Sequence, residues 1–194
     1  STLFPYTTLF RSLLTIMSFT MTSHAAEALE PENTLYLDLE SGRVIIELFE
    51  DKAPEHVKRI KELARTGFYD GVVFHRVIDG FMAQTGDPTG TGMGGSGKKL
   101  KAEFNDVKHT RGIVSMARAA SPDSADSQFF IMFDDGPFLD NQYTAWGKVV
   151  SGMQHVDSIK KGDSNANGKV SNPDKVVKMQ VAADADKADV KKAN

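Results

Sequence analysis

The chain has 194 residues, 40% hydrophobic and 25% charged, with 26 acidic and 23 basic side chains and a formal charge of −3. At roughly 150 residues per domain this is one domain with extensions, and its apolar content supports a packed core and excludes global disorder. The absence of cysteine excludes disulfides, thiolate metal sites and cysteine nucleophiles, the charge balance argues against a nucleic-acid surface, and no run of about 18 apolar residues offers an ordinary membrane-spanning helix.

Residues 1–26 read as a leader. Residues 2–12 (TLFPYTTLFRS) resemble an in-frame translation of a sequencing-adapter oligonucleotide. Residues 13–26 resemble a signal-peptide remnant, with a short apolar stretch from Leu13 to Phe19 and small residues at Ser23 and Ala25 that fit a secretory cleavage site. A periplasmic location is the expectation and a cytoplasmic one the alternative. The working domain is then 33–182, and Ala183 to Asn194, small and charged without apolar periodicity, reads as a solvated, disordered tail.

Within the domain, Leu35, Leu37 and Leu39 alternate with polar residues, as in a half-buried strand. Ser41-Gly42 turns the chain into a second strand marked by Val44, Ile46 and Leu48. A helix starts at Ala53-Pro54-Glu55 with proline in its first turn, repeats Val57, Ile60, Lys61 and Ala64, and stops at Gly67. Short strand-like runs follow at 72–78, 81–84, 112–116, 128–132 and 144–150, then a second helix over about 153–160 and a last strand at 175–181. Many short strands with only two helices predict a mainly β fold, a closed or nearly closed antiparallel barrel whose ends the helices cap.

Two segments imitate ligand-binding motifs. In GTGMGGSGKK, Gly90, Gly92 and Gly95 satisfy G-x-G-x-x-G, and Gly92, Gly97 and Lys98 begin a phosphate loop. Lys99 stands where Ser or Thr must ligate magnesium, and no apolar helix follows to hold a phosphate, so this is expected to be a flexible surface loop. In DSNANGKVSNPD, Asp163, Asn165, Asn167, Gly168 and Asp174 fall at calcium-loop spacing. Pro173 obstructs the helix that should follow and only two carboxylates would face an ion. An Asn/Gly turn is the preferred reading, with weak calcium binding left open.

The informative segment is FHRVIDGFMAQTGD. Strand alternation pairs Phe74 with Arg76 on one face and Met82 with Gln84 on another. Alone, Arg76 reads as a solvated or ion-paired strand residue and His75 as a structural histidine. Together with RGIVSMARA (111–119), SQFFIMF (127–133) and FLDNQYTAWGKV (138–149), however, the segment resembles the cyclophilin family of peptidyl-prolyl isomerases, in the family's order and over essentially Thr34 to Val181.

The resemblance implies a closed eight-stranded antiparallel β-barrel capped by two α-helices, filled with side chains, with substrate in an outer groove. It makes Arg76 the catalytic residue. Phe81, Met82 and Phe130 would form the proline pocket, with Leu139 at its edge. Gln84 and the backbone at Arg118 would hold the peptide, Ala117, Ala119 and Gln128 would line the neighbouring groove, and His75, Tyr143 and Phe138 would complete the rim. Arg118 stands where many members carry Asn, Tyr143 where several carry His, and Phe138 where a Trp is frequent in eukaryotic members. Cyclosporin is therefore expected to bind only weakly. Neither cofactor nor metal is implied, the partners are proline-containing polypeptides, and a monomer without nucleic-acid binding or stable membrane insertion is expected. The alternative is a module that binds proline-containing segments, as a chaperone or scaffold would, without turnover.

Overall fold

The computed structural model describes residues 29–185. The leader expected at 1–26 and most of the expected tail lie outside the described residues.

The opening hairpin forms as its alternation dictates. β1 (Thr34–Leu39) and β2 (Gly42–Leu48) pair antiparallel from Thr34 opposite Glu47 to Leu39 opposite Gly42. Helix α1 (Pro54–Arg65) then buries Val57, Ile60, Leu63 and Ala64. Its cap residue, Ala53, has no side chain able to satisfy the first amides. Glu103 does this from the long connection instead, accepting from the Glu55 and His56 amides at 3.1 and 2.9 Å and from the His56 ring. A carboxylate at a helix N-terminus also meets the positive end of the helix dipole.

Six further strands complete the sheet: β3 (Arg76–Ile78), β4 (Met82–Thr85), β5 (Ile113–Met116), β6 (Phe129–Met132), β7 (Ala145–Ser151) and, after helix α2 (Met153–Asp157), β8 (Val176–Val181). Their order is β3-β4-β6-β5-β7-β2-β1-β8, every ladder antiparallel. The expected closed barrel is corrected: the sheet is an open half-barrel. Between its edges run only an isolated bridge, Val73 to Lys175, and single backbone bonds such as the Phe74 amide to Asp174 O at 2.8 Å. β3 is only three residues long, and Pro173, just before the bridge, has no N–H to extend a ladder.

The expected strand over 72–78 contracts accordingly. Phe74 and Val77 both enter the main core while Arg76 is half-buried on the outer side, so strict alternation between Phe74 and Arg76 does not hold. The expected pairing of Met82 with Gln84 on one face does. A second correction concerns the C-terminal side, where residues 182–185 are helical. Ala183 packs on the core, Ala185 is buried, and Asp184 accepts from Arg65 at 2.8 Å, so the ordered domain runs past the expected start of the tail.

Strand β6 separates two apolar clusters. Phe129 and Ile131 point into the main core with Leu35, Leu37, Ile46 and Trp146; Phe130 and Met132 point outward into a smaller cluster with Met82, Ile113, Leu139 and Ala145. This is the two-residue period of a strand apolar on both faces.

Candidate active site

The smaller cluster is the floor of a cavity of about 410 Å³. Arg76 from β3 stands opposite Gln84 of β4 in register, and Gln84 stands opposite Phe130 of β6. Three adjacent strands thus set a cation, an amide and a phenyl ring side by side. Phe81, Met82, Leu139 and Tyr143 complete the apolar wall. Tyr143 meets Phe130 edge-on at 5.8 Å, and Phe138, exposed on a short 3-10 turn (Pro137–Leu139), leans on Phe81 at 5.5 Å.

Beneath Phe130 lies His109, stacked at 6.4 Å. Its two ring nitrogens face Asp140 at 3.1 Å and buried Ser115 at 3.0 Å. Burial lowers the His109 pKa against the pull of Asp140. The group is packed under the floor and does not line the cavity.

The Arg76 guanidinium is held by three hydrogen bonds. Nη1 donates to Gln84 Oε1 at 3.1 Å, Nε to Asn167 O at 3.1 Å and Nη2 to Asn167 Oδ1 at 2.9 Å. Burial lowers its pKa from the ordinary arginine value, with nearby Tyr143 acting the other way, and arginine stays cationic regardless. Among the described residues no carboxylate forms an ion pair with it, so its charge faces the cavity uncancelled by a near neighbour.

A second cavity of about 450 Å³ adjoins the first and shares Gln84, Ala117 and Arg118 with it. Ala119 and Gln128 line it, along with Met93 and Lys99. Gln128 receives a bond from Gln84 at 2.9 Å and donates to Gly92 O and Gly94 O at 3.0 and 2.8 Å. Arg118 lies over the Tyr143 ring at 4.6 Å and donates to Gln142 O.

The glycine-rich wall of this second cavity is not the flexible loop expected. Fully buried Asp87 accepts from the amides of Thr89, Thr91 and Gly92, and Asp126 accepts from those of Ser96 and Gly97. Burial pushes the Asp87 carboxyl up, but hydrogen bonds from Thr89, Gly94 and Gly92 outweigh it and hold it well below the usual carboxylate range. Several of the amides a phosphate loop would offer are thus already bonded within the protein.

One expected site residue is misplaced. His75 lines neither cavity; it is buried beneath Gly92, and burial lowers its pKa. In the 163–174 loop, Asp163 caps the Asn165 amide, and Asp174 accepts from the Lys160 amide. No group of three His, Asp or Glu suited to a metal occurs among the described residues. Asn167 is the functional neighbour that sequence reasoning missed. Its Asn-Gly turn signal marked a loop but gave no hint that the loop folds back onto Arg76.

The fold agrees with comparisons to known proteins. The family described as cyclophilin type peptidyl-prolyl cis-trans isomerase/CLD matches residues 34–181. A probable peptidyl-prolyl cis-trans isomerase of Brucella suis is 52% identical over 190 residues, spanning 90% of this chain and 97% of that protein. A peptidyl-prolyl cis-trans isomerase of Helicobacter pylori is 48% identical over 126 residues, spanning 63% of this chain and 77% of that one. Among solved structures, a cyclophilin from Hirschia baltica superposes with a TM-score of 0.72 at 29% identity, covering 80% of this chain and 76% of that chain. A cyclophilin-type isomerase from Cryptosporidium parvum, solved in the presence of the dipeptide Ala-Pro, superposes with a TM-score of 0.70 at 30% identity, covering 76% and 98%. The chain belongs to the cyclophilin-type peptidyl-prolyl cis-trans isomerases.

Proposed function

We propose that this protein accelerates rotation about X–Pro bonds in unfolded or folding polypeptides, with Arg76 as the catalytic residue. The observation that carries the reading is the Arg76 guanidinium, without a carboxylate partner among the described residues, beside an apolar pocket built from Phe81, Met82, Phe130 and Leu139.

Amide resonance gives the X–Pro bond a barrier of about 18–20 kcal/mol, and uncatalysed exchange takes tens to hundreds of seconds. Reaching milliseconds requires roughly 5.5–7 kcal/mol of transition-state stabilisation. At the twisted transition state the prolyl nitrogen recovers its lone pair and becomes an acceptor. A guanidinium N–H aimed at that nitrogen bonds the transition state and scarcely the planar ground state, which is the only kind of binding that speeds the step. Such a charge-assisted bond supplies about 1.5–3 kcal/mol. The remainder comes from gripping the ring in the apolar pocket while Gln84 and the backbone at Arg118 fix the chain before it. The residue preceding proline runs along Ala117 and Ala119 toward Gln128.

The leader reading of residues 1–26 makes exported proteins the natural clients; N-terminal sequencing of the mature native protein tests this, and an intact Leu13 would contradict it. Phe138 offers an apolar wall but no N–H donor, which is the basis for weak cyclosporin binding. The catalytic reading is tested by following a cis-enriched proline peptide: Arg76→Ala is expected to fold and to lose about 100-fold or more in kcat/KM, equivalent to about 2.7 kcal/mol. Activity within threefold of wild type would remove Arg76 from the mechanism.

A further inference from the structure

We propose that Asn167 is a positioning residue that aims the Arg76 guanidinium; the inference rests on the catalytic reading of Arg76 given above. Of the three hydrogen bonds that hold this guanidinium, two end on Asn167, one on its backbone oxygen and one on its side-chain oxygen. Together they occupy Nε and Nη2. Nη1 is shared with Gln84 on the cavity side. A flexible arginine has many rotamers, and two bonds from one rigid residue restrict the plane of the fork and leave the Nη1 edge facing the pocket.

The rigidity of Asn167 comes from its loop. The 3-10 turn Ser164–Ala166 is capped by Asp163, whose carbonyl also accepts from the Ala166 and Gly168 amides at 3.1 and 2.8 Å. The loop is stitched to β3 on both sides of the guanidinium's own residue: Val77 N donates to Gly168 O at 2.8 Å, Gly162 N to Val77 O at 2.9 Å and Val170 N to His75 O at 3.2 Å. Gly168 must be glycine here, since a Cβ would lie 2.5 Å from Ile78 and 3.0 Å from the Val77 oxygen. Any motion of the loop would therefore have to carry β3 with it.

Asn167 itself sits in the left-handed region, with φ of 54°. Glycine would satisfy that backbone at no steric penalty, and Asn is among the few other residues that visit it readily. Among these, asparagine adds an uncharged side-chain oxygen within reach of Nη2. An uncharged acceptor orients the guanidinium without neutralising the charge that the prolyl nitrogen is to meet.

The test compares Asn167→Gly, Asn167→Asp, Arg76→Ala and the Arg76→Ala/Asn167→Gly pair under substrate saturation. Asn167→Gly keeps the backbone conformation and the backbone acceptor and removes one side-chain oxygen. It should lower kcat by about tenfold, the weaker end of one charge-assisted hydrogen bond, with KM within about twofold and an unchanged melting temperature. Asn167→Asp puts an oxygen in the same place but sets a negative charge against the guanidinium, so it should fail to restore kcat and leave it at least about tenfold below wild type. In the Arg76→Ala background, Asn167→Gly should cost nothing further, because the group it aims is gone. A kcat for Asn167→Gly within twofold of wild type, or a loss that persists undiminished without Arg76, would overturn the proposal. If Arg76→Ala alone is inactive and Asn167→Gly is not, only this inference falls; if Arg76→Ala stays active, the catalytic reading falls and takes this one with it.

Discussion

Phe129 and Phe130 are consecutive residues of one strand and both are buried, yet they belong to different machines. Phe129 stands between Tyr69 and Trp146, edge-on to each at 5.5 and 5.4 Å, inside a core closed on every side. Phe130 faces the other way, over His109 and against Tyr143, and its ring is the floor of a cavity open to solvent. The first face of the sheet is apolar because folding needs it. On the proposed reading the second is apolar so that a proline ring can dock there, and a sheet packed on both faces leaves a groove only where the outer cluster stays small.

Truncations at the two positions separate these roles most strongly. Phe129→Ala should lower unfolding stability by about 3–5 kcal/mol, since no solvent can enter the space it vacates, while the folded fraction keeps turnover within about threefold. Phe130→Ala should reverse the pattern, costing less stability because the groove admits water and lowering kcat/KM by about 10-fold or more. Urea unfolding and the proline-peptide assay on both variants measure the two quantities side by side. Equal effects of the two truncations on turnover would mean the faces are not independent.

The rim should respond more weakly. Phe138→Trp adds an indole N–H to a wall that already leans on Phe81. A regained hydrogen bond and relief of an unsatisfied acceptor should tighten cyclosporin by about 10- to 100-fold, measured by titration calorimetry, while turnover of a short peptide moves much less. Turnover changing as much as inhibition would place Phe138 inside the proline pocket.

The smallest effect is in pH. His75 and His109 both have pKa values lowered by burial, so each is neutral in the fold and takes up a proton more readily when unfolded. Stability from these groups is fully present above the ordinary histidine value of about 6.5 and declines as pH falls below it. The lowered carboxyls of Asp87 and Glu103 lose their contribution only in a more acidic window, below about pH 4. Unfolding free energy should therefore already decline between pH 6.5 and 5, and a His75→Phe variant should show a shallower decline. An identical slope would mean His75 is not buried as the neutral ring.

Much of the core face was legible in the chain, because one-sided burial imposes period two: Leu35, Leu37 and Leu39 against Val44, Ile46 and Leu48 read directly as a hairpin. Proline at the start of α1 and Gly67 after its end bounded the helix in the same local way. The cavity-lining residues Phe81, Met82, Gln84 and Phe130 were found through a family resemblance, since an apolar run such as FFIM carries no periodic signal that tells inner from outer face. What escaped is what depends on distant partners. Glu103 capping a helix 47 residues earlier, Asp87 and Asp126 pinning the glycine loop, and Asn167 holding Arg76 across 91 positions have no local pattern. His75 was misjudged because the resemblance carried it to the rim, whereas alternation with Arg76 puts it on the inner side with Val77.

The central claim is that Arg76 binds the twisted transition state and not the planar ground state. It is tested most directly by measuring two quantities on one variant: kcat/KM for a proline peptide, and the dissociation constant of that peptide at equilibrium by line-shape NMR. For Arg76→Ala, kcat/KM should fall about 100-fold while the dissociation constant stays within about threefold. A dissociation constant weakened in proportion to the lost turnover would contradict the claim, making Arg76 a substrate anchor.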